Sequence, residues 1–224
     1  MKKLYVMGDF HIGNQNYRRD LLKSTLNKIG EDGIIIGMGD YHEFINEKSF
    51  KYDTQTMSPK KQFKEFKELM KPFAENGQIK TLLKGNHEDR YWKKLDGLEE
   101  YCDQYGIDYN GRHMLIKYGK YYIYAHHPKT SATTTAGRST VFRKMIATQE
   151  ADIYLTGHFH SLFQEEKWRL NRQRKLVSLG LFGCTGSYLE YANSYAELKL
   201  YSPNPMGCKL ITIDPKGIKM EDFI

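Results

Sequence analysis

Asp9 and His11 stand two residues apart directly after the first apolar run of the chain, and four later places repeat that kind of chemistry. They are Gly39-Asp40 with Glu43 behind it, Gly85-Asn86-His87-Glu88, His126-His127 and Gly157-His158-Phe159-His160. Carboxylates, imidazoles and an amide oxygen form a ligand set suited to manganese, iron or zinc rather than to calcium or magnesium. A strand's alternation sends both donors of an i, i+2 pair to one side, which is the expectation for Asp9 with His11 and for His158 with His160. Gly85 lets the backbone turn sharply, so that Asn86 can offer its oxygen and His87 a group that carries a proton near neutral pH. Each piece alone is weak, because Gly-Asp and Gly-Asn-His are common turns and a His-x-His is usually a satisfied strand pair. In this order, each after an apolar run, they form a set. Four histidines, two aspartates and one asparagine suffice for two metal ions if one aspartate bridges.

The elements that must carry these groups can be read from periodicity. Strands are expected over Lys3–Gly8, Gly33–Gly39 and Ile79–Leu83, each ending at a motif. A helix over Asp20–Ile29, with Leu21, Leu22, Leu26 and Ile29 on one face, is closed by Gly30. Ser58-Pro59 reads as an N-cap followed by proline at the first helical position, and Phe63, Phe66, Leu69, Met70 and Phe73 make a core stripe behind it. A further helix is expected over Arg90–Tyr105, closed by Gly106. Alternating strands and helices describe an α/β layered fold with its active groups at the carboxyl ends of the strands. The second half changes character. Met114–Tyr118 and Tyr121–Ala125 form a hairpin around Gly119-Lys120, Thr130–Gly137 reads as a mobile polar loop, and a short helix covers Thr140–Thr148. The strand Asp152–Thr156 delivers the His-x-His, and further strands reach Ile213, so a second sheet packed on the first is expected.

The composition sets outer bounds. A chain of 224 residues without repeats or linkers is expected to be one domain, residues 1–224. No apolar run spans a bilayer, so a membrane partner is not expected. The apolar stretch after Met1-Lys2-Lys3 ends too early for an export signal, and three distant cysteines (Cys102, Cys184 and Cys208) read as free thiols of a reducing cytoplasm. A net charge of +7 and a pI near 9.1 favour a polyanionic partner only mildly.

Taken together, Asp-x-His, Gly-Asp with a nearby acid, Gly-Asn-His-Glu, His and Gly-His-x-His resemble the calcineurin-like metallophosphoesterases. The resemblance implies a four-layer fold of two packed mixed β-sheets flanked by helices. It implies a dinuclear site with Asp9, His11 and His160 on one metal, Asn86, His126 and His158 on the other, and Asp40 bridging. The family commonly has His-Gly where this chain has His126-His127; His126 is taken as the ligand, with a one-residue shift left open. His87 matches the proton donor, and Glu43 falls where relatives carry an aspartate that orients it. Arg90 is near enough in sequence to grip a phosphate oxygen, or is a plain surface arginine. The implied cofactors are two divalent transition-metal ions, manganese first, with iron, zinc and nickel as alternatives. Such ions lower the pKa of a shared water so that hydroxide attacks phosphorus in line.

The ester itself is less legible. A phosphodiester of DNA or RNA is slightly preferred, from the net charge, from Lys129, Arg138, Arg143 and Lys144, and from the Trp168–Lys175 stretch, where basic groups flank an aromatic. That stretch reads equally as a solvated hairpin tip. A phosphomonoesterase or protein phosphatase would use the same metals, and a non-catalytic scaffold would keep the fold but lose ligands. His42 and His127 are expected to line the pocket, and His113 to begin a strand at the surface.

Overall fold

The structure is a computed structural model that describes residues 2–45, 48–49, 52–91, 96–130, 132–215 and 217–224. Two runs of short apolar strands dominate it. β1 (Lys2–Met7), β2 (Gly33–Gly37) and β3 (Ile79–Leu82) lie parallel, and β9 (Cys208–Asp214) and β10 (Gly217–Phe223) complete one sheet in the order β10-β9-β1-β2-β3. The other sheet, ordered β4-β5-β6-β8-β7, uses β4 (His113–Tyr118), β5 (Tyr121–His126), β6 (Ile153–Thr156), β7 (Gln164–Leu170) and β8 (Leu176–Cys184). Both sheets are mixed. β9 returns to pair antiparallel with β1, a long-range closure that local periodicity does not encode.

The sheets face one another over an aliphatic layer. Leu4, Val6, Ile36 and Met38 of the first meet Ile116, Ile123, Ala125, Ile153 and Leu155 of the second. The outer face of the first sheet packs Tyr5, Met7 and Ile35 on α1 (Arg19–Asn27), α2 (Pro59–Glu75) and α4 (Gly97–Tyr105), through Leu22, Phe66, Met70 and Tyr101. The outer face of the second packs Tyr124, Tyr154 and Phe182 on Phe142 and Met145 of α5 (Thr135–Thr148). Helix, sheet, sheet, helix is the four-layer order expected.

Local departures have local causes. The strands stop short of their motifs, at Met7, Gly37 and Leu82; after β1 and β2 the backbone turns left-handed, at Asp9 and at Gly39 and Asp40. The helix expected over Arg90–Tyr105 is two pieces, α3 (Glu88–Tyr91) and α4, with Asp96 capping the second by accepting the Leu98 N–H; residues 92–95 lie outside the described residues. Gly106 closes α4 with φ 64°, a conformation that costs glycine little. α5 begins at Thr135 rather than Thr140, because Thr134 accepts the Gly137 N–H as an N-cap and turns the last three residues of the expected loop into helix. Within that loop Ser131 lies outside the described residues. No helix among the described residues is long and apolar enough to cross a membrane.

Candidate metal centre

All five motifs meet at the carboxyl ends of β1, β2, β3, β5 and β6. Asp9, His11, Asp40, His158 and His160 each adopt positive φ, between 48° and 77°. Left-handed backbone is strained for residues with a Cβ, and its concentration at one place marks a site whose side-chain directions are forced by the surrounding fold. The i, i+2 pairs therefore converge for a different reason than strand alternation. They lie in turns beyond the strands, tied across by Asp9 N–H to the Gly39 carbonyl at 2.8 Å and His11 N–H to the Asp40 carbonyl at 3.1 Å.

Three groups of donors lie with their ligand atoms within 4.8 Å of one another: Asp9, His11 and His160; His11, Asp40 and His87; Asp40, His127 and His158. Asp40 belongs to two of them. The side chain of Asn86 joins the third, its oxygen 3.2 Å from His127 Nε2.

The position of the fourth imidazole corrects the sequence reading. His127 is fully buried, with Nε2 3.3 Å from Asp40 Oδ2, whereas His126 turns to the outer face beside Tyr124 and His113. Alternation along β5 decides this. Ile123 and Ala125 point into the layer between the sheets, so His127 continues on that side and His126 does not. The apolar residues Ile123 and Ala125 already carried that signal in the sequence.

Divalent cations fit this arrangement, as the tautomers show. His11 Nδ1 lies 2.9 Å from Glu43 Oε2, His127 Nδ1 2.6 Å from the Met38 carbonyl, and His158 Nε2 2.7 Å from the Thr130 carbonyl. These oxygens only accept, so each ring carries a proton on that nitrogen and turns its other nitrogen to the cluster. This is the way proteins orient metal-binding histidines. His11 Nε2 and His160 Nε2 consequently face each other at 2.9 Å. Burial holds His160 well below its usual range, while burial of His11 is outweighed by its bond to Glu43, which raises it, so a proton lies between the two nitrogens where a cation would take both. The charges agree. Burial pushes Asp9 up to about 7, while burial of His127 is outweighed by Asp40, which drives the imidazole up to about 9. A proton thus sits between His127 and Asp40 where a cation would compete for the same atoms.

The family model for calcineurin-like phosphoesterases matches residues 2–162. The chain belongs to this family. Among solved structures, the phosphoesterase fold resembles wild-type Vps29 from Entamoeba histolytica in complex with zinc, at 16% identity and a TM-score of 0.52, covering 99% of this chain and 98% of that one. It also resembles an archaeal phosphodiesterase at 14% identity and a TM-score of 0.51, covering 99% of each chain. Vps29 from Chaetomium thermophilum, at 10% identity and a TM-score of 0.52, covers 100% of this chain and 94% of its own. These likenesses are of fold. A search of curated protein sequences finds no significant match.

In this phosphoesterase the roles around His87 differ from the expectation. Glu43 turns its carboxylate to His11, and it is the Glu43 backbone carbonyl that meets His87 Nδ1, at 2.6 Å; the carboxylate is 3.8 Å away. Burial of Glu43 is outweighed by the bond to His11, which holds its carboxyl down to about 2. Burial pushes His87 down to about 4, leaving it neutral near pH 7 with Nε2 4.0 Å from Asp40 Oδ2. Arg90 Nη1 lies 3.0 Å from His87 Nδ1. Since that nitrogen already donates to a carbonyl, Arg90 approaches it without a bond and remains exposed beside the site.

One supporting residue, the last of the Gly85-Asn86-His87-Glu88 motif, has a role that its place in the sequence does not show. Glu88 is fully buried and accepts the N–H groups of Asp40, His42 and Gly85 at 2.9, 3.1 and 2.8 Å. His42 Nδ1 lies 2.9 Å from the same carboxylate, so His42 sits behind the site rather than in the pocket. Asp40 Oδ1 in turn accepts the His87 N–H at 2.8 Å. One carboxylate thereby locks the loop after β2 to the loop after β3. His113 begins β4 at the surface, as expected.

Proposed function

We propose that the chain hydrolyses phosphate esters at a dinuclear centre, with Asp9, His11 and His160 on one ion, Asn86, His127 and His158 on the other, and Asp40 between them. The observation that carries this is that Asp9, His11 and His160 form one donor group and Asp40, His127 and His158 another, with Asp40 also lying beside His11, and the imidazole tautomers fixed from behind. Manganese is the preferred ion. Divalent cations supply Lewis acidity and make a water nucleophilic at neutral pH. The protein's own part is to aim ligands, exclude alternatives and handle the leaving group's proton. His87 holds its Nδ1 proton on Glu43 and turns Nε2 to the centre. An anionic phosphate beside Nε2 raises its proton affinity, so that Nε2 takes a proton from solvent as substrate binds and passes it to the leaving alkoxide, help worth about 10²–10⁴-fold. Arg90, exposed next to it, is placed to pair with a phosphate oxygen.

A phosphodiester, with nucleic acid as the polymeric form, is preferred over a monoester. The basic composition and the archaeal phosphodiesterase of similar fold support this preference. The test is a paired assay with manganese on bis(p-nitrophenyl) phosphate and p-nitrophenyl phosphate, using wild type and Asp40→Asn. Diester turnover lost in the variant supports the reading. Turnover of the monoester alone replaces it with a phosphomonoesterase or protein phosphatase. No turnover with any metal leaves a scaffold that binds ions without catalysis.

A further inference from the structure

We infer that the tip of the β7–β8 hairpin docks on an anionic lipid bilayer, a role independent of the chemistry at the metal centre. β7 leaves the site just after His160, pairs with β8 from Gln164 opposite Gly183, and runs on past Leu181, where β6 begins. The tip therefore projects at the end of the sheet opposite the metal centre. There Trp168, Leu170 and Leu176 are 54%, 53% and 68% exposed. Leu170 pairs directly with Leu176, and Trp168 stands two residues away on the same face, so the three make one apolar patch. Nearer the body this face carries Leu181 against the core between the sheets; beyond it, the face runs on uncovered.

Around the patch stand Arg169, Arg172, Arg174 and Lys175, all exposed, with no acidic residue anywhere from Lys167 to Val177. Among the described residues no carboxylate pairs with any of the four, whereas Lys167, closer to the body, is bound to Glu165. The turn is built, not loose. Asn171 Oδ1 accepts the N–H groups of Gln173 and Lys175 at 3.0 and 2.9 Å, and Arg174 is held at φ 58°, where glycine or asparagine would be less strained.

Large apolar groups ringed by cations match an anionic interface, where acyl chains take the first and headgroups the second. A second copy of the chain would bring four like charges against four. A nucleic acid would use the cations and the tryptophan but not a pair of leucines, and Glu165 and Glu166 separate the tip from the centre. The expectation of no membrane partner considered only spanning runs. Here three side chains from two strands become a surface by pairing.

The test uses full-length protein carrying Trp92→Phe, which leaves Trp168 as the sole tryptophan, with phosphatidylcholine vesicles with and without phosphatidylglycerol. The expected result is co-sedimentation and a blue-shifted Trp168 emission with the anionic vesicles alone, both weakening as salt rises. Each basic residue near an anionic leaflet contributes about five-fold, so Arg172→Ala with Lys175→Ala weakens binding roughly 25-fold. Leu170→Ser with Leu176→Ser removes the blue shift while circular dichroism and diester hydrolysis stay unchanged. Protein left in the supernatant with anionic vesicles overturns the inference. So does vesicle binding indifferent to these substitutions, or hairpin-dependent binding to a single-stranded oligonucleotide or to a second copy without any to vesicles.

Discussion

His126 and His127 are chemically identical neighbours separated by the two faces of one strand, and the difference is measurable. His127→Ala should lower manganese affinity and diester turnover by at least the roughly 10–100-fold that even an outer partner of a metal ligand costs. His126→Ala should leave both within error, as read by metal analysis of purified protein and by steady-state rates. Glu43 makes a second prediction through His11. Glu43→Gln should weaken metal binding about 10–100-fold by releasing the His11 tautomer, as read by metal titration. Its ionisation also predicts a pH dependence of the metal-free protein. The folded carboxyl titrates at about 2, below its ordinary 4.5, so its contribution to stability is complete above 4.5 and is lost as pH falls toward 2. Urea unfolding of metal-free protein across that window should show an acid limb that flattens in Glu43→Gln. The residue types at the site were legible because five motifs recur in order. The partner of each imidazole was not, since Met38, Glu43 and Thr130 become acceptors only once the loops have folded over.

The loops after β2 and β3 depend on Glu88 and Gly85. Removing the Glu88 carboxylate leaves three backbone N–H groups and His42 Nδ1 without that acceptor at a buried position. Glu88→Ala should therefore cost at least about 3 kcal/mol in chemical denaturation. Gly85 presses on Asp40, and a Cβ there would collide with both the Asp40 backbone nitrogen and its carboxylate. Gly85→Ala should keep the fold but displace Asp40, so that bound metal and diester turnover fall together while far-UV circular dichroism is retained. Gly85 was legible as a turn. Its reason, contact with a loop more than forty residues earlier, belongs to packing. Among the helices, α2 followed its stripe, with Phe66 and Met70 in the core, whereas α5 began early because a capping threonine outweighed the polar appearance of its first turn.

Across the whole molecule, the helix–sheet layers bury all three cysteines as free thiols, Cys102 and Cys208 under the first sheet's helices and Cys184 beside Phe142 of α5, and burial pushes each up to about 12. A thiol that high yields almost no thiolate at neutral pH. Ellman's reagent should find none of the three in native protein and all of them in denaturant. The sequence by itself determined the α/β class, the strand ends that carry chemistry and the family, because strand periodicity and motif order are local properties that survive in one dimension. Only the tertiary structure decided that β9 returns to β1, that His127 rather than His126 faces the centre, and that Trp168, Leu170 and Leu176 form one surface. Each of these depends on which face or which distant strand a residue meets. A linear chain carries its periodicities openly, but its pairings exist only after residues far apart have been brought into contact.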